Sequence, residues 1–216
     1  MFASFFDGLQ SLFKRKRPEV RRWIVLDVET SGLNPHSDRL LAIAAVALDV
    51  SPDFERIAIV IGDSYEAVLK QDLPSSKDNI LVHHIGVQAQ ADGRPPIEVL
   101  EEFRAWLGDC PLLAFHSAFD EAMLNRAYAL AGLKPLQNEW LDIEPLAKIT
   151  GVNPSLRALD DWLGHFGIEC AVRHQAAADT FATAELLMRL WPYLKREASS
   201  WSSLRNIARQ ASWIPR

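Results

Sequence analysis

Three apolar runs in the first part of the chain predict β-strands. The run at 23–26 is rich in β-branched and aromatic residues, which predicts a buried strand. Turn-forming residues at 32–35 separate it from a second run at 40–48, whose length and following turn favour a strand over a helix. A third run at 54–61 alternates loosely between apolar and polar positions. Three strands joined by turns predict an antiparallel meander.

The rest of the chain alternates strand-like and helix-like patterns after a loop-rich, proline-containing stretch at 62–96. The predicted elements are a helix over 97–107, a strand over 111–116, a helix over 119–131, a short strand or extended segment over 140–143, and helices over 155–166 and 176–194. Strands followed by alternating strands and helices favour the α/β class, with a mixed sheet covered by helices.

The two ends of the chain predict extensions to a central domain at 22–195. Residues 1–21 place apolar side chains at near-helical spacing ahead of a basic cluster, which predicts an amphipathic, basic extension. A secretory signal has the opposite order, with its positive charge first. The extension either packs on its own domain or stays loose, or it docks on a protein partner or a membrane surface. The tail at 196–216 is predicted to be helical.

Composition and charge narrow the class of protein. The 216 residues are 49% hydrophobic and 24% charged, which is typical of a globular protein with a sizeable core. The cysteines, Cys110 and Cys170, indicate no disulfide framework and favour a reducing, cytoplasmic location. Residues 1–22 carry six basic and two acidic groups, so the remainder has a net charge of −9. Such an acidic body argues against tight, non-specific binding of duplexes but permits local binding through metal ions and a short channel.

Paired carboxylates end the first predicted strand. Asp27 and Glu29 are two residues apart, so both side chains leave the same face of a strand. Two carboxylates facing each other repel unless a cation lies between them, and oxygen ligands suit Mg²⁺ or Mn²⁺. The alternative is an ordinary solvated strand end, which is common for an isolated Asp-x-Glu.

Two further segments carry candidate chemistry. Asp120 follows a buried strand and begins a helix, where it could also be only a capping residue. His174 precedes the long helix that contains Asp179 in its first turns. Taken alone, a histidine and a first-turn aspartate are typical of ordinary helix structure.

These three segments together resemble the DnaQ-like 3′–5′ exonucleases of the DEDD superfamily, in the DEDDh branch. The matching text is LDVETSGLNP, AFHSAFDEAML and RHQAAADTFATAELL, in the family's order and spacing. Lesser similarities lie in HHIGVQAQADGRP, LDIEPLAK and SLRALDDWLGHFGI. The resemblance covers about residues 22–195, which is the predicted exonuclease domain.

The resemblance implies a fold and a catalytic set. The fold would be ribonuclease H-like: a mixed five-stranded sheet, its first three strands antiparallel, flanked by helices. The implied ligands of two divalent ions, Mg²⁺ or Mn²⁺, are Asp27, Glu29, Asp120 and Asp179. His174 would be the general base that takes a proton from the attacking water.

The resemblance also implies contacts to the terminal nucleotide. These would involve Thr30, Leu33, His84, Ile85, His116 and Phe119. His116 departs from the family pattern, which often has asparagine four residues before the second aspartate. An imidazole can still donate a hydrogen bond, so the fold and metal site are expected to survive, while the holding of that loop stays open. Phe119 is equally consistent with plain core packing.

The leading interpretation is an exonuclease that removes nucleoside 5′-monophosphates from single-stranded 3′ ends. The motif LDVETSGLNP and the loop that contains His84 and Ile85 resemble those of polymerase proofreading subunits and their stand-alone relatives. This resemblance favours DNA as the substrate over the trimming of RNA. Two further interpretations are a non-catalytic scaffold that kept the fold and a partner-dependent subunit that docks through residues 1–20. The histidines lack zinc-ligand spacing with the cysteines, and the sequence contains neither a nucleophile elbow nor a Walker-type loop.

Overall fold

The computed structural model of the chain describes residues 21–153 and 155–211. The amphipathic extension predicted at 1–21 therefore lies outside the described residues, apart from Arg21. The same is true of the last five residues of the predicted tail.

A mixed five-stranded sheet forms the centre of the molecule. Its strands are β1 (Arg21–Thr30), β2 (Leu40–Val50), β3 (Ile57–Val68), β4 (Leu112–Ala114) and β5 (Trp140–Asp142). Their spatial order is β3-β2-β1-β4-β5. The first three strands pair antiparallel, and β4 and β5 continue the sheet parallel to β1. This confirms the predicted ribonuclease H-like arrangement.

Helices cover the sheet and fill its connections. They are α1 (Lys77–His83), α2 (Val87–Ala91), α3 (Pro96–Leu107), α4 (Ser117–Leu130), α5 (Ile143–Ile149), α6 (Leu159–Phe166), α7 (Ala176–Glu197) and α8 (Trp201–Ala211). Among the described residues, none of the helices has both the length and the apolarity needed to cross a bilayer.

Strand β3 differs from its predicted bounds of 54–61. It begins later and continues into a stretch that the sequence predicts as loop. The reason is an irregularity in its pairing with β2: Val46 pairs with Ser64, whereas the next residue, Ala47, pairs with Val60. The three extra residues at 61–63 form a bulge, which interrupts the alternation on which strand prediction depends.

The short helices are the other difference. Helices α1 and α2 lie in the predicted loop region. Helix α5 follows β5 in a stretch for which no element was predicted beyond residue 143, and α6 begins at Leu159 rather than at 155. Helices of five to eight residues carry too few turns to show a helical apolar period. Local polar caps begin two of them: the Ser76 hydroxyl accepts the N–H of Asn79, and the Asp142 carboxylate accepts the N–H of Glu144.

The core has two halves, one on each face of the sheet. Strand β1 contributes alternate residues to them: Trp23 and Val25 pack toward α7, whereas Ile24 and Leu26 pack toward α3 and α4. Because both faces are covered, β1 is a continuous apolar run until its carboxylates begin. Helices α4 and α7, which bury the two faces of β1, therefore both begin near the end of the strand that carries the carboxylates.

An aromatic cluster packs around Trp23 near the start of β1, at the end opposite the carboxylates. The ring of Trp23 lies 4.8 Å from that of Trp201, 5.6 Å from Phe54 and 5.9 Å from Trp191, measured between centroids. Trp201 begins α8, whose Leu204 is buried in the same half of the core. The cluster therefore joins the first strand to the last described helix.

Replacing Trp23 by alanine is expected to destabilise the protein by about 3–5 kcal/mol, because it removes a buried indole and its edge-on ring contacts. Thermal unfolding should then occur roughly 10 °C lower than in the wild type. Leu130→Ala, at an exposed position on α4, is the control and should change the melting temperature little. Equal melting temperatures for Trp23→Ala and the wild type would contradict this account of the core.

Candidate active site

Two of the predicted carboxylates leave the end of β1 side by side. Asp27 pairs with Ala44 of β2, and Glu29 pairs with Ala42. The small alanine side chains leave room beside the carboxylates on this face of the sheet. The end of β1 therefore provides two carboxylates that could serve as metal ligands.

Helix α7 brings the third carboxylate to the same place. Its Thr180 hydroxyl donates a buried hydrogen bond of 3.2 Å to the carbonyl oxygen of Ala44, the residue that pairs with Asp27. This contact holds the start of α7 against β2. Oxygens of Asp27, Glu29 and Asp179 all lie within 4.8 Å of one another. We call these three residues the carboxylate cluster.

Asp120 of α4 lies next to the cluster but is not one of its three members. It is only 4% exposed, and this burial raises its pKa well above the ordinary value. The charge of Asp27 raises the pKa of Asp120 further. A hydrogen bond from the backbone of Val28 opposes the rise.

Loss of contact with water also perturbs the strand carboxylates. Burial raises the pKa of Asp27 to about 7, and Arg173 opposes that rise. Burial, and then the charge of Asp27, raise the pKa of Glu29 to about 8, again against the effect of Arg173. Clustered carboxyls of this kind hold protons in place of a cation, and a hard divalent ion with oxygen ligands fits the donor set.

Divalent-ion affinity is expected to rise with pH across the titration of Asp27 and Glu29. Because their pKa values are raised to about 7 and about 8, an ion has to displace protons at lower pH. The Mn²⁺ dissociation constant should fall by up to about tenfold per pH unit for each proton displaced. Calorimetric titration of the protein with Mn²⁺ at about pH 6, 7 and 8 measures this, and an affinity independent of pH would contradict it.

The same shifts predict how the stability of the metal-free protein depends on pH. Raised carboxyl pKa values mean that the native state keeps protons that the unfolded state has already released. The contribution of these two groups to the free energy of unfolding should therefore decrease as pH rises from about 4 to about 8.

His174 lies at the rim of the cluster. Its backbone has a left-handed φ of 61°, and its N–H donates a hydrogen bond of 2.9 Å to Oδ2 of Asp179. The residue is exposed to solvent. The structure thus ties the predicted base to a predicted metal ligand through the backbone and leaves its side chain at the mouth of the site.

Arg173 is a site residue that the sequence reasoning missed. Its guanidinium donates to Oδ1 of Asp179 and to Oδ1 of Asp160, two carboxylates on different helices. The only signal in the sequence was a basic residue directly before His174. Surface arginines are common, so that signal does not distinguish a site residue from a solvated one.

The loop at His116 is held by its backbone. The N–H of His116 donates a hydrogen bond of 2.9 Å to Oδ1 of Asp142, which also accepts from the N–H of Glu144 at 3.0 Å. His116 has a left-handed φ of 65°, a conformation that asparagine adopts more readily than most residues. Its exposed imidazole lies 3.9 Å from Glu144. The loop is therefore fixed by Asp142, which the sequence reasoning also missed.

Leu33 and Thr30 differ in what they offer to a substrate. Leu33 is 87% exposed, so its side chain is free to contact a ligand. Thr30 is buried, and its hydroxyl donates a hydrogen bond of 2.7 Å to the carbonyl oxygen of Gly32. The hydroxyl of Thr30 thus stabilises the turn after β1 and is not free to bind a nucleotide.

A buried histidine connects the His84–Ile85 turn to the end of β1. Nδ1 of His83 accepts the N–H of Ile85 at 2.9 Å, so Nε2 carries the proton and donates to Asn79 at 2.7 Å. The amide of Asn79 in turn donates to the carbonyl oxygen of Thr30 at 2.9 Å. Burial lowers the pKa of His83, which favours this neutral form. Sequence reasoning named the exposed His84 and passed over His83.

Phe119 is half-buried and packs against the half of the core that faces α3 and α4. This contact bears out the core packing that the sequence left open for this residue. It leaves only part of the ring accessible beside Asp120, which follows it in α4.

Two carboxylates at the end of the first strand of this ribonuclease H-like sheet and a third from α7 form a set of oxygen ligands of the kind that nucleases use for divalent ions. The family model described as RNase_T, exonuclease, matches residues 24–187. The chain therefore belongs to the RNase_T exonuclease family, which confirms its resemblance to the DnaQ-like DEDD exonucleases.

Curated relatives include very long polymerases. The chain is 27% identical over 191 residues to the PolC-type DNA polymerase III of Staphylococcus haemolyticus, covering 88% of this chain and 13% of that protein. It is 27% identical over 176 residues to the PolC-type enzyme of Staphylococcus aureus, covering 80% and 12% respectively. The chain thus spans about an eighth of the length of these relatives.

Solved structures of exonuclease I from E. coli share the fold. The complex with a dA16 oligonucleotide superposes with a TM-score of 0.65 at 19% identity, covering 82% of this chain and 43% of that one. The complex with a dT13 oligonucleotide gives a TM-score of 0.64 at 20% identity, covering 81% and 43%. The chain spans less than half of the exonuclease I chain.

Proposed function

We propose that this protein is a metal-dependent 3′–5′ exonuclease that removes nucleoside 5′-monophosphates from single-stranded 3′ ends, with DNA favoured over RNA. The observation that carries the proposal is the meeting of Asp27, Glu29 and Asp179 within 4.8 Å. Asp120 adds a fourth, buried carboxyl beside Asp27. Membership of the exonuclease family supports the same reaction class.

The four carboxylates are the proposed ligands of two Mg²⁺ or Mn²⁺ ions. When bound, such ions activate a water molecule and neutralise charge on the phosphate and the departing oxygen. Asp27 would contribute an oxygen near both the cluster and Asp120, since it belongs to the cluster and its charge acts on Asp120. Four acidic groups offset the charge of two divalent ions while leaving positions for phosphate and water.

His174 is the proposed general base. Histidine is the side chain most often used as a general base in proton transfer close to neutral pH. The N–H of His174 donates a hydrogen bond to Asp179, so the backbone of the proposed base lies next to a proposed metal ligand. Its exposed position lets the imidazole approach a water molecule at the mouth of the site.

The proposed contacts to the terminal nucleotide come from both sides of the end of β1. The exposed Leu33 is the candidate wedge beside the last base, and Ile85 would contact that base from the other turn. Thr30 and His84 would contribute through the backbone of their turns. His116 and Phe119 lie at the start of α4, next to Asp120.

Two properties of similar proteins favour DNA as the substrate. The curated relatives are DNA polymerases, and the exonuclease I structures contain deoxyoligonucleotides. The acidic body of this chain is consistent with a short contact on a single strand rather than a long duplex interface.

The test is digestion of matched single-stranded DNA, single-stranded RNA and 3′-mismatched duplex DNA, each with Mg²⁺, Mn²⁺ or EDTA. Substrates labelled at the 5′ end should give a ladder that shortens from the 3′ end, and 3′-labelled substrates should release a labelled mononucleotide. EDTA should abolish both. Binding of the oligonucleotides without any metal-dependent shortening would instead support a non-catalytic scaffold, and faster digestion of RNA would assign the protein to RNA trimming.

A further inference from the structure

Arg173 bridges two carboxylates that differ greatly in their access to water. The side chain of Asp179 is 7% exposed, whereas that of Asp160, in the first turn of α6, is 64% exposed. The Arg173 side chain itself is 30% exposed. One guanidinium therefore contacts the cluster with one end and the solvent-facing surface of α6 with the other.

The end of Arg173 in the cluster interacts with more than Asp179. Its positive charge lowers the pKa of both Asp27 and Glu29. On Asp179, the guanidinium contacts Oδ1, the thiol of Cys170 lies 3.4 Å from the same oxygen, and the N–H of His174 contacts Oδ2. Arg173 is thus the residue that supplies positive charge to all three members of the cluster.

Resting on the metal site of the proposed function, we propose that Arg173 is a positioning residue that competes with a divalent ion for Oδ1 of Asp179. When the carboxylate of Asp179 binds an ion instead, Asp160 would keep the guanidinium at the rim of the cluster. Arg173 would then set the ion concentration at which the site loads.

The physical reason is that one carboxylate oxygen cannot serve a guanidinium and a divalent ion equally well. Two cations that share a small cluster also repel each other, and the repulsion is stronger where water is excluded. The competition for Oδ1 of Asp179 therefore persists while the guanidinium occupies that position. It is relieved only if the side chain moves.

Asp160 lowers the free-energy cost of that movement. An arginine that left Asp179 with no other partner would leave its ordered position completely, whereas the contact of Nε with Asp160 keeps one end in place. Because Asp160 is largely exposed, its ion pair is weak and leaves the guanidinium free to tilt. Arg173 therefore has one ion pair with the buried Asp179 and one with the exposed Asp160. This combination suits a side chain that changes partners.

The decisive experiment is a Mn²⁺ titration of the full-length, metal-stripped protein without substrate, read by calorimetry or by the electron paramagnetic resonance of free Mn²⁺. Arg173→Gln should bind Mn²⁺ about tenfold more tightly than wild type, because the competing charge is gone. Asp160→Asn should bind about threefold more weakly, because the guanidinium then has only the cluster as partner. The two variants are thus expected to shift in opposite directions.

Arg189→Gln is the matched control, since it removes an exposed arginine and its ion pair with Glu185 on α7, outside the cluster. Its Mn²⁺ affinity should equal that of the wild type. Arg173→Lys guards against a folding defect in the glutamine variant: it keeps the charge but cannot bridge both carboxylates, so its affinity should lie between those of the wild type and Arg173→Gln.

The outcomes separate this inference from the proposed function. If the wild type binds no Mn²⁺, the metal site itself fails, and the inference fails with it. If the wild type binds Mn²⁺ but Arg173→Gln binds with equal or lower affinity, only the competition is wrong. An unchanged Mn²⁺ affinity together with a raised KM for oligonucleotide would assign Arg173 to phosphate binding instead.

Discussion

Asp27→Asn is expected to lower the rate of mononucleotide release by at least about 1,000-fold. Asp27 is the carboxylate that lies among the cluster and also beside Asp120, so its loss affects both proposed ion positions. Metal ions in such sites contribute several kcal/mol of transition-state stabilisation, and about 4 kcal/mol corresponds to that factor. Asparagine has nearly the same shape, so the strand and its pairing with Ala44 should be retained.

The measurement is single-turnover release from a 3′-labelled oligonucleotide, together with a Mn²⁺ titration of the same variant. Both the rate and the Mn²⁺ affinity should fall. The control is Asp49→Asn, which removes a carboxylate from an exposed position on β2, and it should leave both quantities unchanged. Wild-type activity in Asp27→Asn would exclude the cluster as the active site.

His174→Ala is expected to lower kcat by about 100- to 10,000-fold while leaving Mn²⁺ affinity close to that of the wild type. The substitution removes the proposed proton acceptor but keeps the backbone N–H that binds Asp179. The pH profile of the rate should differ between the wild type and the variant, because the variant lacks the proposed proton acceptor.

This combination distinguishes a base from a ligand. Loss of activity with intact metal binding is the result expected only for a group that acts on the water molecule or the substrate. His165→Ala, which removes an exposed imidazole at the end of α6, should have the activity of the wild type. If His174→Ala retained full activity with an unchanged pH profile, another group would have to take the proton.

The positions of the site residues show how far local sequence information reaches. Asp27 and Glu29 could be placed on one face of a strand from their spacing alone, because side chains in a strand alternate. The structure confirms the strand and shows the two carboxylates with Asp179. The role of each residue in catalysis remains a prediction that the variants above test.

The missed residues share a different property. Each of them acts through a partner that only the folded chain brings near. His83 is linked to Thr30 through Asn79. Asp142 binds the backbone of His116, and Arg173 binds Asp160. A buried histidine and an exposed one look alike in the sequence HHIG. The structure distinguishes them because only His83 lies under the turn and accepts a backbone N–H.

The bulge in β3 and the short helices were unpredictable for a related reason. Their formation depends on pairing with β2 and on individual polar caps, neither of which produces a period in the sequence. Long elements with a clear pattern, such as β2 and α7, were predicted close to their observed bounds, whereas β1 extends well beyond the apolar run at 23–26.

Local apolar patterns predicted the class of fold and the order of the main elements, and short motifs predicted the candidate carboxylates. They could not establish which carboxylates meet, that Arg173 stands between Asp179 and Asp160, or that the backbone of His116 is held by Asp142; the folded chain shows all three. Such contacts depend on how α4, α6 and α7 pack on the sheet, and packing is a property of the whole core rather than of any one segment.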